Sequence, residues 1–206
     1  MPSARYPYRP GEPDTPGPPP EFEQAAPWLQ DRLFDRRIVL LGGTLTAATA
    51  AQTAAALVTL DTLADDPIQV HLSAPDGDLS AAFAVVDAID SIGSPVHVVV
   101  PGTAGGAAIA VLAAADRRIA YRHARIRLAE PRSSVAPGTA DQVAAAAGAY
   151  LRDLEELIVR LADVTGAPRS RIESDLSAGR WLDAAEALSY GLVDEIAPKG
   201  SGSSTS

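Results

Sequence analysis

The chain has 206 residues, of which 47% are hydrophobic and 21% charged, as is typical of one globular domain with a substantial core. Its formal net charge of −9 argues against a nucleic-acid-binding protein, because a phosphate backbone needs lysine and arginine to neutralise it. The absence of cysteine excludes disulfides, thiolate catalysis and cysteine-ligated zinc. We expect neither a metal nor a cofactor, because no metal-ligand spacing is formed by the histidines, which are His71, His97 and His123.

The two ends of the chain differ in composition from its middle. Residues 1–27 contain many of the 17 prolines and little apolar periodicity, which predicts a disordered or polyproline-like arm. Residues 198–206 are rich in Gly and Ser, as is typical of a flexible tail. One domain is expected between them, over residues 28–197. No apolar run resembles a signal-peptide core or a membrane span, so we expect a cytoplasmic protein without membrane contact.

The first part of this domain alternates strand and helix patterns. Apolar runs predict strands at Arg36–Leu41, Pro67–Ser73 and Pro95–Val100. A helix capped by Thr46 follows the first strand. A second helix over Leu79–Ile92 follows a predicted turn at Ala74–Gly77.

The third strand leads into the stretch VVVPGTAGGAAIAVLAAA, Val98–Ala115. A strand, a tight glycine turn and a helix form an arrangement that enzymes use to display a nucleophile or to bind an anion. Yet no Ser, Cys, Lys, Asp or Glu lies between Pro101 and Ala115, and Thr103 supplies the only hydroxyl. The sequence therefore predicts an active-site elbow without a nucleophile.

The second part of the domain begins with two short strands, RRIAY and RIRLA. A long helix from Thr139 to about Val164 is predicted by a capping box, in which Thr139 and Gln142 satisfy free backbone N–H groups. A short helix, a second capping box at Asp183 and Glu186, and a closing strand GLVDEI follow. Alternating strands and helices predict an α/β domain with a parallel sheet.

Several of these stretches, in this order, resemble the ClpP family of Clp protease proteolytic subunits, within the wider ClpP/crotonase fold. They include LFDRRIVLLGG, PGTAGGA, RIRLAEP and RWLDAAEALSYGLVDEI, the last being similar to the family pattern RFLSAxEAxxYGLVDxI. The resemblance covers Trp28 to Ala197 and implies repeated β-β-α units, a parallel sheet with flanking helices and a protruding handle helix. It also implies serine peptidase ancestry and two stacked seven-membered rings fed by an ATPase.

The same resemblance locates the catalytic triad. The nucleophile position of the GxxxSxG motif aligns with Gly106, and the catalytic histidine position, at the end of RIRLAEP, aligns with Ala129. The catalytic aspartate position, before Arg180, aligns with Gly179. All three roles are therefore expected to be empty, and the members of such a triad act as a unit.

The resemblance places the oxyanion hole at the backbone of Asp76 and Ala107. The family turn SPGG reads Ala74-Pro75-Asp76-Gly77 here. A carboxylate at Asp76 would oppose negative charge developing nearby, whereas an oxyanion hole depends on donors aimed at that charge.

Two further departures concern partners. Aromatic residues that line the family's ATPase-docking pocket are replaced by Gln69 and His71, which makes this pocket more polar. An Asp-Arg pair that helps to join the two rings is replaced by Ser177 and Ala178. Both changes argue against a standard, ATPase-docked double ring. The long helix keeps an apolar seam, which serves either internal packing or contact with a neighbouring subunit and consists of Leu151, Leu154, Leu157, Ile158 and Leu161.

Replacement chemistry has few candidates. Ser73, Ser133 and Ser134 are interpreted as loop hydroxyls, and His123 as a turn residue far from Gly106. Asp76 and Glu130 remain a candidate acid-base pair, with solvated charges as the simpler interpretation. A crotonase-type coenzyme A enzyme is disfavoured, because no basic cluster for an adenine nucleotide is evident.

The sequence thus predicts an inactive ClpP-like subunit with a structural or regulatory role in a ClpP-type oligomeric complex. Expected partners are further copies in a heptameric ring or double ring, or active ClpP subunits, whereas docking of a Clp ATPase is doubtful. The alternative is an active serine endopeptidase that uses non-standard residues.

Overall fold

The computed structural model describes residues 27–132 and 138–198. The predicted arm over residues 1–27 lies almost wholly outside the described residues, as does most of the predicted tail over residues 198–206. The described strands are β1 (Ile38–Leu45), β2 (Ile68–Gly77), β3 (Val96–Val100), β4 (Thr103–Gly105), β5 (Arg117–Ala120), β6 (Arg125–Leu128), β7 (Arg180–Asp183) and β8 (Glu195–Ile196). The described helices are α1 (Pro27–Phe34), α2 (Ala47–Leu63), α3 (Leu79–Ser91), α4 (Ala108–Ala113), α5 (Ala140–Thr165), α6 (Arg169–Ala178) and α7 (Ala184–Tyr190).

The strands form two sheets. The five-stranded sheet has the order β1-β2-β3-β5-β8, and all its neighbouring strands are parallel. The three-stranded sheet has the order β4-β6-β7, with β4 parallel and β7 antiparallel to β6. This mixed α/β architecture confirms the predicted fold class.

The core lies between the large sheet and the helices packed on one of its faces. On β2, Ile68, Val70 and Leu72 are fully buried, whereas the alternate residues Gln69 and Ser73 are exposed. This alternation places β2 between a helix-covered face and a more open one. None of the helices in residues 27–132 and 138–198 combines the length and the apolar character needed to cross a bilayer.

Helix α5 divides into an exposed first half and a packed second half. Val143 and Leu151 are exposed, Leu151 to 63%, whereas Leu157 and Leu161 are fully buried in the core. The predicted seam is therefore not one continuous surface: its C-terminal half serves internal packing, and only its N-terminal half is free to contact a neighbour.

The helix starts follow from local side-chain chemistry, as predicted. Thr46, Thr139 and Asp183 are N-caps whose side chains accept a backbone N–H from the first turn of α2, α5 and α7. Each belongs to a capping box, in which the residue three positions later bonds back to the cap. In α2 the reciprocal partner is Thr49.

Four local predictions differ from the structure. The closing strand predicted as GLVDEI is only β8, because its first residue, Gly191, is the left-handed C-cap of α7. The first strand does not end at Leu41 but continues through its two glycines as part of β1, with a register shift between Gly42 and Thr44. The predicted turn at Ala74–Gly77 is the extended end of β2, held by pairing with the end of β1. The predicted turn residues Thr103–Gly105 are strand β4.

A partly exposed ion pair at the sheet edge holds the C-terminal strand on the sheet. Arg118 on β5 donates its backbone N–H and its guanidinium to Asp194, at 2.7 and 2.5 Å, and also reaches the carbonyl of Gly191 at 3.0 Å. Partial burial by itself would raise the pKa of Asp194, but the hydrogen bonds and charge of Arg118 outweigh it and hold that pKa below its ordinary value.

We expect Asp194→Asn to lower the free energy of unfolding at pH 7 by about 1 kcal/mol, a value reduced for the partial exposure of the carboxylate. Because the folded-state pKa is depressed, this contribution is complete above the unfolded pKa and is lost as the pH falls through the folded one. Urea unfolding at pH 7 and pH 3 measures the difference. Asp65→Asn, which removes an exposed carboxylate, is the control. An equal loss at both pH values would contradict the ion-pair account.

Candidate functional site

The three triad positions lie together at one end of the small sheet. Gly105 pairs with Arg127 and Leu128 pairs with Arg180, so Gly106, Ala129 and Gly179 each lie one residue beyond a paired position. Because β4 runs parallel and β7 antiparallel to β6, all three come to the same sheet end. The structure thus brings these positions together, and their assignment to triad roles stays a prediction.

Gly106 has the backbone geometry of an elbow. Its φ is +54°, in the left-handed region that favours glycine, and the residue is buried between β4 and α4. A Cβ on Gly106 would lie 3.2 Å from Oδ1 of Asp76, so this position faces the end of β2. An elbow of this shape can present a side chain to a ligand, but Gly106 has no side chain to present.

The neighbouring Gly105 is required by close packing. A Cβ on Gly105 would lie 2.9 Å from the Pro75 carbonyl oxygen, closer than real Cβ atoms approach backbone, and 3.0 Å from the Cβ of Arg127. A one-residue shift in the alignment would place the nucleophile position on Gly105 or Ala107, neither of which carries a nucleophilic side chain. Thr103 lies on β4 and is half-buried.

Asp76 is tied into an ion pair beside Gly106. One carboxylate oxygen accepts the Gly77 N–H at 2.8 Å, and the other lies 2.5 Å from Nε of Arg132. The negative charge of Asp76 at the predicted oxyanion position is therefore paired with the Arg132 guanidinium, a contact that the sequence did not reveal. Ala107, the other predicted oxyanion residue, is fully buried at the start of α4.

An arginine occupies the space beside Gly179. Nη2 of Arg127 would lie 3.1 Å from a Cβ on Gly179, and its guanidinium carbon lies 5.6 Å from the Trp181 ring centroid. A catalytic acid at this position would meet a guanidinium instead of an imidazole. Arg125 and Arg127 alternate with buried residues along β6 and share its exposed face, which the sequence analysis did not identify.

The candidate replacement groups do not assemble in the described residues. Glu130 does not pair with Asp76: its backbone N–H donates to the Leu176 carbonyl. Burial, and secondarily the charge of Glu130, raises the pKa of Tyr150, whose hydroxyl donates to the Pro131 carbonyl at 2.9 Å. Ser73 is exposed on β2, while Ser133 and Ser134 lie outside the described residues.

His123 lies at the opposite end of β6 from Ala129. It is exposed in the turn closed by the Ala124 N–H to the Tyr121 carbonyl, as predicted. Within residues 27–132 and 138–198, no three His, Asp or Glu side chains are grouped so that they could hold a metal ion.

Gln69 and His71 lie on the open face of the large sheet. His71 pairs with Leu40 on β1 and Val99 on β3, and it is half-buried between them. This burial lowers the pKa of His71, since it penalises the charged imidazolium. On this face, the exposed Gln69 and the half-buried His71 stand where the family resemblance implies aromatic residues.

Ser177 and Ala178 are exposed at the end of α6, and a cluster that the sequence analysis missed lies just before them. Asp175 accepts the Tyr190 hydroxyl at 2.8 Å and Nη1 of Arg180 at 3.2 Å. Burial and the hydrogen bond to Asp175 raise the pKa of Tyr190 to about 12. The cluster fixes α6 against β7 and α7 and so positions Gly179.

The chain is similar in sequence to known proteins over most of its length. Residues 23–200 match the Clp protease family. The chain is 32% identical to an ATP-dependent Clp protease proteolytic subunit 2 of Streptomyces coelicolor, over 80% of this chain and 77% of that protein. It is 32% identical to proteolytic subunit 1 of Frankia casuarinae, over 84% of both chains. It is 34% identical to a chloroplastic proteolytic subunit-related protein 2 of Arabidopsis thaliana, over 82% of this chain and 61% of that protein.

A family match over most of the chain, relatives above 30% identity and the parallel α/β fold all agree. The chain therefore belongs to the Clp protease family.

Proposed function

We propose that this chain is a ClpP-type subunit that does not hydrolyse peptides and that acts as a structural or regulatory member of an oligomeric complex. The observation that carries the proposal is the identity of the three residues at this sheet end, Gly106, Ala129 and Gly179, none of which has a hydroxyl, imidazole or carboxylate side chain. Serine-peptidase chemistry needs an activated nucleophile and its base within hydrogen-bonding distance of each other.

The charges around these positions support the same proposal. Asp76 and Arg132 form an ion pair where the nucleophile side chain would project, and Arg127 fills the space beside Gly179. Replacement of one triad residue alone would leave the other catalytic groups in place. Here the surrounding side chains occupy the space that catalysis would need.

A role in assembly is supported by what remains exposed. The first half of α5 keeps apolar side chains at Val143 and Leu151 on its surface. We propose a homo-oligomer with about seven subunits per ring, by resemblance to the family, or co-assembly with active ClpP subunits in the cytoplasm. Docking of a Clp ATPase is disfavoured by the polar Gln69 and His71 on the open sheet face.

We expect no labelling by a fluorophosphonate probe, which reacts with activated serines, and no cleavage of casein or fluorogenic peptides above background. The measurement compares the purified chain with an active serine peptidase under the same conditions. Turnover that persists through repurification and is blocked by a serine-directed inhibitor would support the alternative, an active peptidase with non-standard residues.

We expect Gly106→Ser to remain unlabelled and to destabilise the protein. A serine at φ +54° carries a strain of roughly 1–2 kcal/mol, and its Cβ would lie 3.2 Å from the Asp76 carboxylate. Gly166→Ser is the matched control, since Gly166 has φ +67° and a Cβ there would have no neighbour within 4 Å. Thermal melts should show the larger loss at Gly106. Robust hydrolysis by Gly106→Ser would reveal a base that this account lacks.

Sedimentation velocity is expected to show an oligomer dominated by single rings of about 149 kDa, seven times the chain mass of 21.3 kDa. Stacking of two rings is weak in this proposal because Ser177 and Ala178 cannot form a charge-assisted pair. The double change Ser177→Asp with Ala178→Arg should shift the population towards double rings, whereas Ser177→Ala should not. A single species near 21.3 kDa would contradict self-assembly.

A further inference from the structure

An open groove lies at the other end of β6, away from the triad positions. It has a volume of about 1270 Å³ and runs between the β5–β6 turn and the residues after β8. Apolar walls are contributed by Tyr121, Ile196 and Pro198. Arg122 and Arg125 also line it, so the groove combines apolar surface with two guanidinium groups.

The arginines on and beside this groove have no ion-pair partner among the residues that the structure describes. Among residues 27–132 and 138–198, Arg122, Arg125 and Arg127 form no ion pair, although most other arginines near the strands do. The carboxylate that lines the groove, Asp183, accepts the Glu186 N–H at 2.8 Å and lies across the strand pair from Arg125 without forming an ion pair with it, so the lining has two guanidinium groups against one carboxylate. In a chain with a net charge of −9, this is a local excess of positive charge.

An exposed tryptophan extends the groove. The guanidinium carbons of Arg125 and Arg127 lie 5.7 and 5.6 Å from the Trp181 ring centroid, and Trp181 is 45% exposed. Arg125 belongs both to the groove lining and to this stack, so the two surfaces are continuous. Tryptophan, tyrosine and arginine are the residues most enriched at the centres of protein interfaces.

We infer that this surface, defined by Tyr121, Arg122, Arg125, Arg127 and Trp181, binds an acidic peptide segment of a partner protein, with carboxylates on the arginines and an apolar side chain in the groove. Charge complementarity favours carboxylates as the ligand groups, since a guanidinium binds a carboxylate through two parallel hydrogen bonds. The apolar walls favour a peptide over a nucleic acid.

The test uses the full chain and a fluorescein-labelled 12-residue peptide built of Glu-Glu-Leu repeats, with binding followed by fluorescence anisotropy. The same peptide with Gln in place of Glu should bind at least tenfold more weakly. The double variant Arg122→Ala with Arg125→Ala should weaken binding of the Glu peptide at least fivefold. Arg152→Ala, which removes an exposed arginine on α5, is the matched control and should leave it unchanged. The single variant Arg122→Glu should also weaken binding of the Glu peptide, and it leaves the strands unaltered because Arg122 is an exposed turn residue.

Four outcomes would overturn the inference. Binding of the Gln peptide as tightly as the Glu peptide would show that carboxylates are not recognised. A loss of affinity in the Arg152→Ala variant equal to that in the double variant would show that the peptide does not bind at this surface. Tighter binding of a 12-nucleotide oligothymidylate would identify a nucleic-acid surface instead. A change of oligomeric state in Arg122→Glu, seen by sedimentation, would identify the groove as an interface between copies of this chain. These outcomes are independent of whether the chain hydrolyses peptides.

Discussion

The close approach of β4 to the end of β2 determines the geometry of the whole candidate site. No side chain fits at Gly105, because a Cβ there would lie 2.9 Å from the Pro75 carbonyl oxygen. This contact directs the chain into a left-handed residue at Gly106 and sets that residue beside Asp76. Since α4 begins immediately afterwards and is buried throughout, the elbow is fixed by core packing, with or without a catalytic group on it.

That packing keeps the shape of the elbow independent of any catalytic side chain on it. The carboxylate at residue 76 is accommodated beside Gly106 because its pairing with Arg132 offsets part of the cost of the charge. The Arg127 guanidinium likewise occupies the space beside Gly179, where a catalytic acid at residue 179 would need an imidazole partner. Reconstruction of a triad would therefore have to remove these two charged groups as well as introduce three new ones.

The sequence predicted the parts of the fold that depend on local patterns. The strand and helix order follows from periodicity, and the N-caps at Thr46, Thr139 and Asp183 follow from side-chain chemistry within one turn. The turn predicted at Ala74–Gly77 was wrong because pairing with β1 overrides the turn preference of Pro, Asp and Gly. The ion pair of Asp76 with Arg132 could not be predicted, since it joins residues 56 positions apart through the packing of two sheets.

Strand β6 links the sheet end at Gly106, Ala129 and Gly179 to the groove at the opposite end of the small sheet. Its C-terminal end leads to Ala129, at the same sheet end as Gly106 and Gly179, and its N-terminal end begins at Arg125 in the groove. Arg127, between them, contacts both the space beside Gly179 and the ring of Trp181. A catalytic acid at residue 179 would draw the Arg127 guanidinium towards its carboxylate and away from Trp181, because a charged partner outweighs a cation–π contact. With glycine at residue 179, the Arg127 guanidinium has no carboxylate partner at that position and stacks on Trp181, so the position of one arginine affects both the sheet end at Gly179 and the basic, aromatic surface.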